Sequence, residues 1–396
     1  MIYDLIILGG GAAGIFAAIQ AKIAHPHFSI LLLEKTNQLL TKVKISGGGR
    51  CNVTHHCMDS KELVKNYPRG QKELLGPFTR FGPQEMIAYL QSIQVPLKIE
   101  EDGRMFPKTN HSSTIIEAFL SEIERLKVTI EKKVSLQSLE KKNQAFILKS
   151  KEKEYISRNL LLATGSHPSG HQFAKELGHQ IVKPVPSLFT FNIPDFAFKE
   201  LSGISLKDVE LKMADTSLKA KGDLLITHFG FSGPLALKLS AFGARLLNDQ
   251  NYQATLLLDL LPESSFLEVE KKLIELKREE PKKTLLNQNP FYLPKRLWAL
   301  LAPKAKSVKL SDHAIREFAI SLKRIPFKMK GKTTHKEEFV TAGGIDLKEV
   351  NFRTFESKIC PNLYFSGEIL NIDGITGGFN FQNAWTTAFM ASQSMT

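Results

Sequence analysis

Gly9-Gly10-Gly11-Ala12-Ala13-Gly14 satisfies the spacing G-x-G-x-x-G and stands between an apolar run, residues 3–8, and a small-residue stretch, 13–25. These residue types in this order suit the pyrophosphate of a dinucleotide. Gly9 permits a tight turn, Gly11 lets backbone approach the phosphates, and Gly14 lets a helix pack closely on a strand. A helix starting there offers unpaired N–H groups and the positive end of its dipole to the anion. Glu34 follows 20 residues after Gly14, at the end of a second apolar run, 29–34. A carboxylate in that place can accept both ribose hydroxyls and disfavours a 2′-phosphate.

Two further segments favour FAD over NAD as the nucleotide. Ala163-Thr164-Gly165 ends a third apolar run and makes a small-residue turn on the pyrophosphate side. Near the C-terminus, Gly367-Glu368 ends the run 363–366, and Gly377-Gly378-Phe379-Asn380 opens a helix expected over 379–395. A Gly-acid strand end suits a ribityl or phosphate contact. The glycine pair leaves helix N–H groups free to face the pyrimidine edge of a flavin, where they stabilise the charge of the reduced ring. Asp373, before Gly374, is either a hydrogen-bond partner of the flavin or a turn former. No His or Cys stands in an attachment motif, so non-covalent FAD is expected.

The elements that must position these residues form an α/β fold: a Rossmann-type FAD-binding domain interrupted by a β-rich insert that carries a helical cap. The expected boundaries are 1–187 with 336–396 for the FAD domain, 188–262 (returning at 326–335) for the β-rich insert, and 263–325 for the basic cap. Within the first domain, 112–127 reads as a helix, and 128–134 and 144–149 as strands of a small antiparallel sheet. No internal repeat is present.

Composition is that of an ordinary globular protein, with 42% hydrophobic and 23% charged residues among 396. No apolar run is long enough to span a membrane, and the N-terminus lacks a signal-peptide pattern, which points to the cytoplasm. Cys51, Cys57 and Cys360 are odd in number and lack CxxC spacing, so neither a disulfide framework nor a metal site is expected. Net charge is +13, and residues 265–335 hold 17 Lys/Arg against seven Asp/Glu. Such a stretch is either a solvated lysine-rich surface or a field that concentrates a polyanion such as RNA. Phe291, Tyr292, Trp298, Phe318 and Phe327 stand among these basic residues. Their spacing makes most of them core, with base stacking the alternative.

Lys44-Ile45-Ser46-Gly47-Gly48-Gly49-Arg50-Cys51-Asn52-Val53-Thr54 resembles the signature of the BaiN/RdsA-type NAD(P)/FAD-dependent oxidoreductases. That family, also catalogued as the aminoacetone oxidase family, lies within the glutathione-reductase-like FAD superfamily. Thr227–Pro234, Thr341–Ile345 and Gly367–Asn383 match it as well, and the likeness runs end to end. It implies a Rossmann-type FAD domain with a β-barrel-like insert and a helical cap, and reduction of a carbon–carbon double bond conjugated to a carbonyl. Two substrate classes are associated with the family: steroid-like enones, and uridine of large-subunit (23S) ribosomal RNA, which becomes dihydrouridine. One departure is Thr41-Lys42-Val43-Lys44, where the family more usually has Lys-Leu, which blurs the assignment of a particular lysine.

Conjugate reduction needs a hydride at the β-carbon and a proton at the α-carbon. Cys51 is the candidate proton donor, with Asn52 or Arg50 holding a carbonyl or phosphate. The alternative makes Cys51 a packing residue and Arg50 a structural ion-pair partner. The expected cofactor contacts are Gly9, Gly11, Ala13, Gly14, Glu34, Lys35, Lys44, Ser46, Gly47, Gly48, Val134, Ala163, Thr164, Gly165, Gly367, Glu368, Asp373, Gly377, Gly378, Phe379 and Asn380. His228, in a Gly/Ser/Pro-rich turn, reads as structural, with a place at a substrate mouth as the alternative. No second strand–GxGxxG–helix unit is present, so NAD(P)H is expected as a transient reductant entering the substrate cleft. Charge and resemblance together favour dihydrouridine formation in rRNA. The rivals are a small-molecule ene-reductase or amine oxidase, and a flavin-bound RNA- or ribosome-binding factor without turnover.

Overall fold

An apolar run without polar alternation belongs in a strand buried on both faces. In the computed structural model, which describes residues 2–333 and 340–396, the first such run is β1 (Ile2–Leu8). It lies inside a parallel sheet of order 363–365, 154–162, β1, β2 (Ile30–Glu34), 129–132. Between β1 and β2 runs α1 (Ala12–Ala24), alanine-rich and buried along most of its length, as a helix packed on a sheet must be. Its Phe16 ring meets Trp385 of the C-terminal helix (Phe379–Ser392) edge-on, with centroids 5.5 Å apart. The switch in strand order beside β1 opens a crevice at the carboxyl ends of the strands, the usual ligand position in open α/β sheets.

The expected antiparallel pair is only half right. Residues 129–132 pair in parallel with β2, Leu31 opposite Thr129. The antiparallel part is built by Leu136–Lys142, Ala145–Ser150 and the first half of Glu154–Leu162. The division falls where Lys133 takes a left-handed backbone (φ 62) and the Val134 N–H bonds the Glu34 carbonyl at 3.0 Å. That turn leaves 129–132 on β2 and frees the chain to start a hairpin at 136.

The described residues fall into two units, 2–187 with 340–396, and 188–333. The expected junction at 335/336 lies outside the described residues. The second unit holds a seven-stranded antiparallel sheet that begins with Ile325–Lys330 and ends with Lys332–Thr333. These two edge strands are separated only by Gly331, whose N–H bonds the Tyr252 carbonyl (2.8 Å) while its own carbonyl accepts the Asn192 N–H (3.2 Å). A sheet whose first and last strands are one residue apart must curl on itself, which gives the barrel-like form. The helices Phe266–Glu279, Lys295–Leu301 and Asp312–Lys323 share its core: Val269, Leu273, Trp298 and Phe318 lie in one cluster with Leu211, Leu224, Leu256 and Phe327.

His179 ties the first unit together. Its Nδ1–H donates to the Ala174 carbonyl (3.0 Å), so Nε2 accepts from the Ser357 hydroxyl (2.7 Å). Burial holds its pKa below the ordinary 6.5. The native imidazole is therefore neutral, and protonation favours the unfolded chain. Stability is expected to be full above pH 6.5 and to fall as the pH drops from there through the depressed native value. Urea midpoints measured between about pH 7.5 and 5.5 check this, and His179→Gln should show a smaller acid-side loss than the wild type.

Candidate active site

The β1–α1 turn is built from three glycines with three different reasons. Gly9 has φ 109, and a Cβ there would stand 2.5 Å from the Ala163 carbonyl oxygen, so Gly9 lets the end of β1 touch the Ala-Thr-Gly turn. A Cβ on Gly14 would stand 1.9 Å from the Gly9 carbonyl oxygen. Gly11 is different. Its backbone (φ −82, ψ −168) is open to any residue, and a Cβ there would meet nothing within 4 Å. Neither backbone nor packing demands glycine at 11. What it leaves is room in front of the uncapped N-terminus of α1, which fits the pyrophosphate of a dinucleotide.

Glu34 stands half-buried at the end of β2. Its two oxygens accept the N–H groups of Gly10 and Thr36, each at 2.7 Å. Each oxygen keeps a second lone pair, sufficient for ribose hydroxyls. Val134 is held beside it, whereas Lys35 is exposed. At the end of the neighbouring strand, Ala163 is buried, and the Thr164 hydroxyl is buried with no hydrogen-bond partner. A Cβ on Gly165 would reach only the Glu368 carboxylate, at 3.8 Å.

The C-terminal segment closes the same cradle. A Cβ on Gly367 would stand 3.0 Å from that of Ala13, and its N–H bonds the Thr387 hydroxyl (2.9 Å). Glu368 accepts the Thr341 N–H (3.0 Å) and pairs with Lys42 at 2.5 Å, so the structure joins Lys42 to the site and leaves Lys44 on the surface. Asp373 is fully buried. Both its oxygens accept from the Arg69 guanidinium, and one also from the Ser187 hydroxyl (2.7 Å). That carboxylate braces the turn. The Asn380 amide likewise bridges the N–H and carbonyl of Gly374 (2.8 and 2.9 Å). Gly378, at φ 93, abuts Thr54, whose carbonyl carbon and oxygen would lie 2.6 Å from an added Cβ. Gly377 has φ 132, and the helix that follows has no side-chain cap, which leaves its first N–H groups for a ligand.

The Gly-Gly-Gly-Arg-Cys-Asn loop grows out of a short helix, α2 (Thr41–Gly49), that breaks at Ser46. Gly47, Gly48, Gly49 and Cys51 all take left-handed backbones (φ 57, 68, 82 and 61). A Cβ on Gly47 would press the Phe106 ring at 2.9 Å, but those on Gly48 and Gly49 would meet open space. The Ser46 hydroxyl bonds the Val43 carbonyl. Arg50 lies over the Phe106 ring (4.0 Å) and pairs with Glu100 at 2.6 Å. Cys51 is fully buried, and burial pushes its thiol up to about 12. The Asn52 side-chain oxygen accepts the Met105 N–H (3.2 Å). His228 belongs to the other unit, exposed and edge-on to Phe229.

Three residues of this region carry no spacing signal in the sequence: Arg69; Tyr67, whose hydroxyl donates to the Phe379 carbonyl at 2.6 Å; and His55, stacked on Phe379 at 4.8 Å. His55 presents a buried Nδ1 without a hydrogen-bond partner, and burial lowers its pKa, so it is neutral and an acceptor at that atom.

Two glycine substitutions separate cofactor space from fold space. Gly11→Ala is expected to leave apoprotein stability within about 1 kcal/mol of the wild type while flavin content on purification falls sharply. Gly14→Ala forces backbone apart and is expected to cost roughly 3 kcal/mol before any cofactor is considered. Urea melts of stripped protein and the flavin-to-protein absorbance ratio read the two effects.

The chain matches the family model described as "HI0933-like protein Rossmann domain" over residues 3–394. It is 29% identical to the ribosomal RNA dihydrouridine synthase of Haemophilus influenzae, with 98% of each chain covered. It is 26% identical to the 3-dehydro-bile acid delta(4,6)-reductase of Clostridium scindens, again over 98% of each. The ribosomal RNA dihydrouridine synthase of Escherichia coli is also 26% identical, over 99% of this chain and 98% of that one. Among solved structures, the 3-ketosteroid-delta4-(5alpha)-dehydrogenase of Rhodococcus jostii is similar in fold, with a TM-score of 0.51 at 13% identity over 98% of this chain and 96% of that one. With the family model spanning nearly every residue and the cradle shaped for a dinucleotide, this chain belongs to the HI0933-like Rossmann-domain family and is an FAD-dependent oxidoreductase.

Proposed function

We propose that the enzyme reduces the double bond of a uridine in large-subunit ribosomal RNA to give dihydrouridine. The observation that carries the choice of RNA is charge: net +10 over residues 265–335, a stretch of helices, connecting segments and strands that presents most of its lysines to solvent. An apolar enone needs no such field, whereas a polyanion is drawn by it. The likeness to two proteins named ribosomal RNA dihydrouridine synthase supports the reading. The likeness to a bile-acid reductase keeps a steroid-like enone as the second reading.

The uridine double bond is conjugated to a ring carbonyl, and its reduction adds hydride at one carbon and a proton at the other. When bound, FAD supplies the hydride. The residues that would hold it are the α1 N-terminus with the space before Gly11, Glu34 at the ribose, and the Gly377–Asn380 helix start at the pyrimidine edge. The Gly47–Asn52 loop is the element we assign to the reacting ring, with open space before Gly48 and Gly49. Cys51 carries a proton throughout the neutral range and is the proposed donor, with Asn52 or Arg50 proposed to hold the substrate carbonyl or a phosphate. A base in a stacked helix cannot reach such a loop, so the target uridine must be unstacked first. NAD(P)H is the proposed reductant, entering where substrate later binds. The cytoplasm is the proposed location; among the described residues no helix is long and apolar enough to cross a membrane.

Mass spectrometry of large-subunit rRNA from strains with and without the gene tests the substrate: dihydrouridine should be present in one and lost in the other, and unchanged content would sink the proposal. Cys51→Ala should keep FAD and lower turnover about 100-fold, the modest end for loss of a general acid, because a thiol near 12 is a weak one. Retained turnover would return Cys51 to packing. Stopped-flow mixing with NADH or NADPH should bleach the flavin, and no response to either would exclude that reductant.

A further inference from the structure

The five aromatic side chains among the basic residues are sorted by the fold. Trp298, Phe318 and Phe327 are buried in the core of the second unit, and Phe291 packs edge-on against Trp298, with centroids 6.2 Å apart. Tyr292 is 92% exposed. Its neighbour Phe291 turns inward and Tyr292 outward across a left-handed backbone step, φ 55 at Tyr292. The turn that carries it is fastened: the Asn289 amide donates to the Leu293 carbonyl (2.6 Å) and its oxygen accepts the Leu293 N–H (3.2 Å). The closed turn fixes the backbone beneath the exposed ring, so little backbone freedom is left to lose when something stacks on it.

The segments around that turn are stitched into one surface. The Ser307 N–H bonds the Lys283 carbonyl (2.8 Å) and the Val308 N–H bonds that of Pro281 (3.1 Å), so these two stretches lie side by side. The Trp298 indole N–H donates to the Leu285 carbonyl (2.9 Å) and fastens the Lys295–Leu301 helix to the same strip. Lys282, Lys295, Lys304, Lys306 and Lys309 are exposed on these segments, and none is within salt-bridge distance of a carboxylate of the described residues. Lys283 alone of the strip's lysines has one, in Glu280 at 2.8 Å. Unneutralised lysines crowded on one strip repel one another, a cost that a polyanion removes.

We infer that this strip is a docking surface for an unpaired stretch of RNA, with phosphates on the five lysines and one base stacked on Tyr292. A ring-stacked base with lysines along the backbone is the chemistry by which single strands are held without sequence readout. The inference rests on the RNA reading given above, and the surface is made wholly of residues 281–309.

Binding of the flavin-loaded enzyme to a short oligouridylate and to protein-free large-subunit rRNA tests it, with the flavin spectrum and thermal midpoint as controls for folding. Tyr292→Ala should weaken oligouridylate binding roughly tenfold, and Tyr292→Phe should stay within about twofold of the wild type. The Lys282→Gln/Lys304→Gln/Lys306→Gln triple variant should lower the slope of log affinity against log salt by about 2. Wild-type affinity in Tyr292→Ala, or an unchanged salt slope in the triple variant, would overturn the docking surface. So would phosphatidylglycerol vesicles that bind as tightly and lose as much from the same substitutions. If dihydrouridine disappears with the gene but both variants restore it with native RNA affinity, the surface is wrong and the substrate stands. If the variants lose RNA binding while rRNA dihydrouridine is unaffected by deletion, the surface stands and the substrate is wrong.

Discussion

A Cβ at Gly14 would stand 1.9 Å from the Gly9 carbonyl oxygen, one at Gly9 2.5 Å from that of Ala163, and one at Gly378 2.6 Å from that of Thr54. At each of these points backbone touches backbone with no side chain between. The cradle depends on these approaches, because they set the β1–α1 turn against the Ala163–Gly165 turn and the Arg50–Thr54 segment against the start of the C-terminal helix. Helix N-termini can serve an anionic cofactor only if nothing stands in front of them. Gly11 supplies that condition at the first helix, and the absence of a capping side chain supplies it at the last.

What glycine brings together, buried polar groups keep in place. Asp373 is fully buried and would be intolerable as a lone carboxylate; the Arg69 fork and the Ser187 hydroxyl make it tolerable. Such a pair adds little net stability compared with an apolar replacement, but removing one partner leaves a buried charge and costs about 3–5 kcal/mol. Its value here is position: it fixes the segment before Gly374 while Asn380 fixes Gly374 itself and Tyr67 holds the Phe379 carbonyl. Three different side chains therefore set where the Gly377–Gly378 helix start points.

The parts legible from sequence are those dictated by local backbone chemistry. The G-x-G-x-x-G turn, Glu34 at the end of its strand, and the glycine start of the C-terminal helix can be read because their spacing is local, and because φ or close approach requires glycine at Gly9, Gly14 and Gly378. Partners across the fold cannot be read in this way. Asp373 reads in sequence as either a flavin partner or a turn former, and only the fold brings Arg69, some 300 positions away, onto both its oxygens. Residues 129–132 carry the same alternation as the strands after them, and only the turn at Lys133 and Val134 assigns them to the parallel sheet. Likewise the spacing of Phe291 and Tyr292 is silent about which ring faces solvent, since that depends on one left-handed step and on the Asn289 clamp.

The proposed reaction has one flavin, held in this cradle, pass its electrons to uridine in RNA. Its most direct measurement mixes anaerobically reduced enzyme with protein-free large-subunit rRNA and follows flavin reoxidation alongside dihydrouridine in the digested RNA. Reoxidation with one dihydrouridine formed for each flavin oxidised is the expected result. Reduced flavin that persists with RNA, yet is rapidly reoxidised by a steroid-like enone, would contradict it.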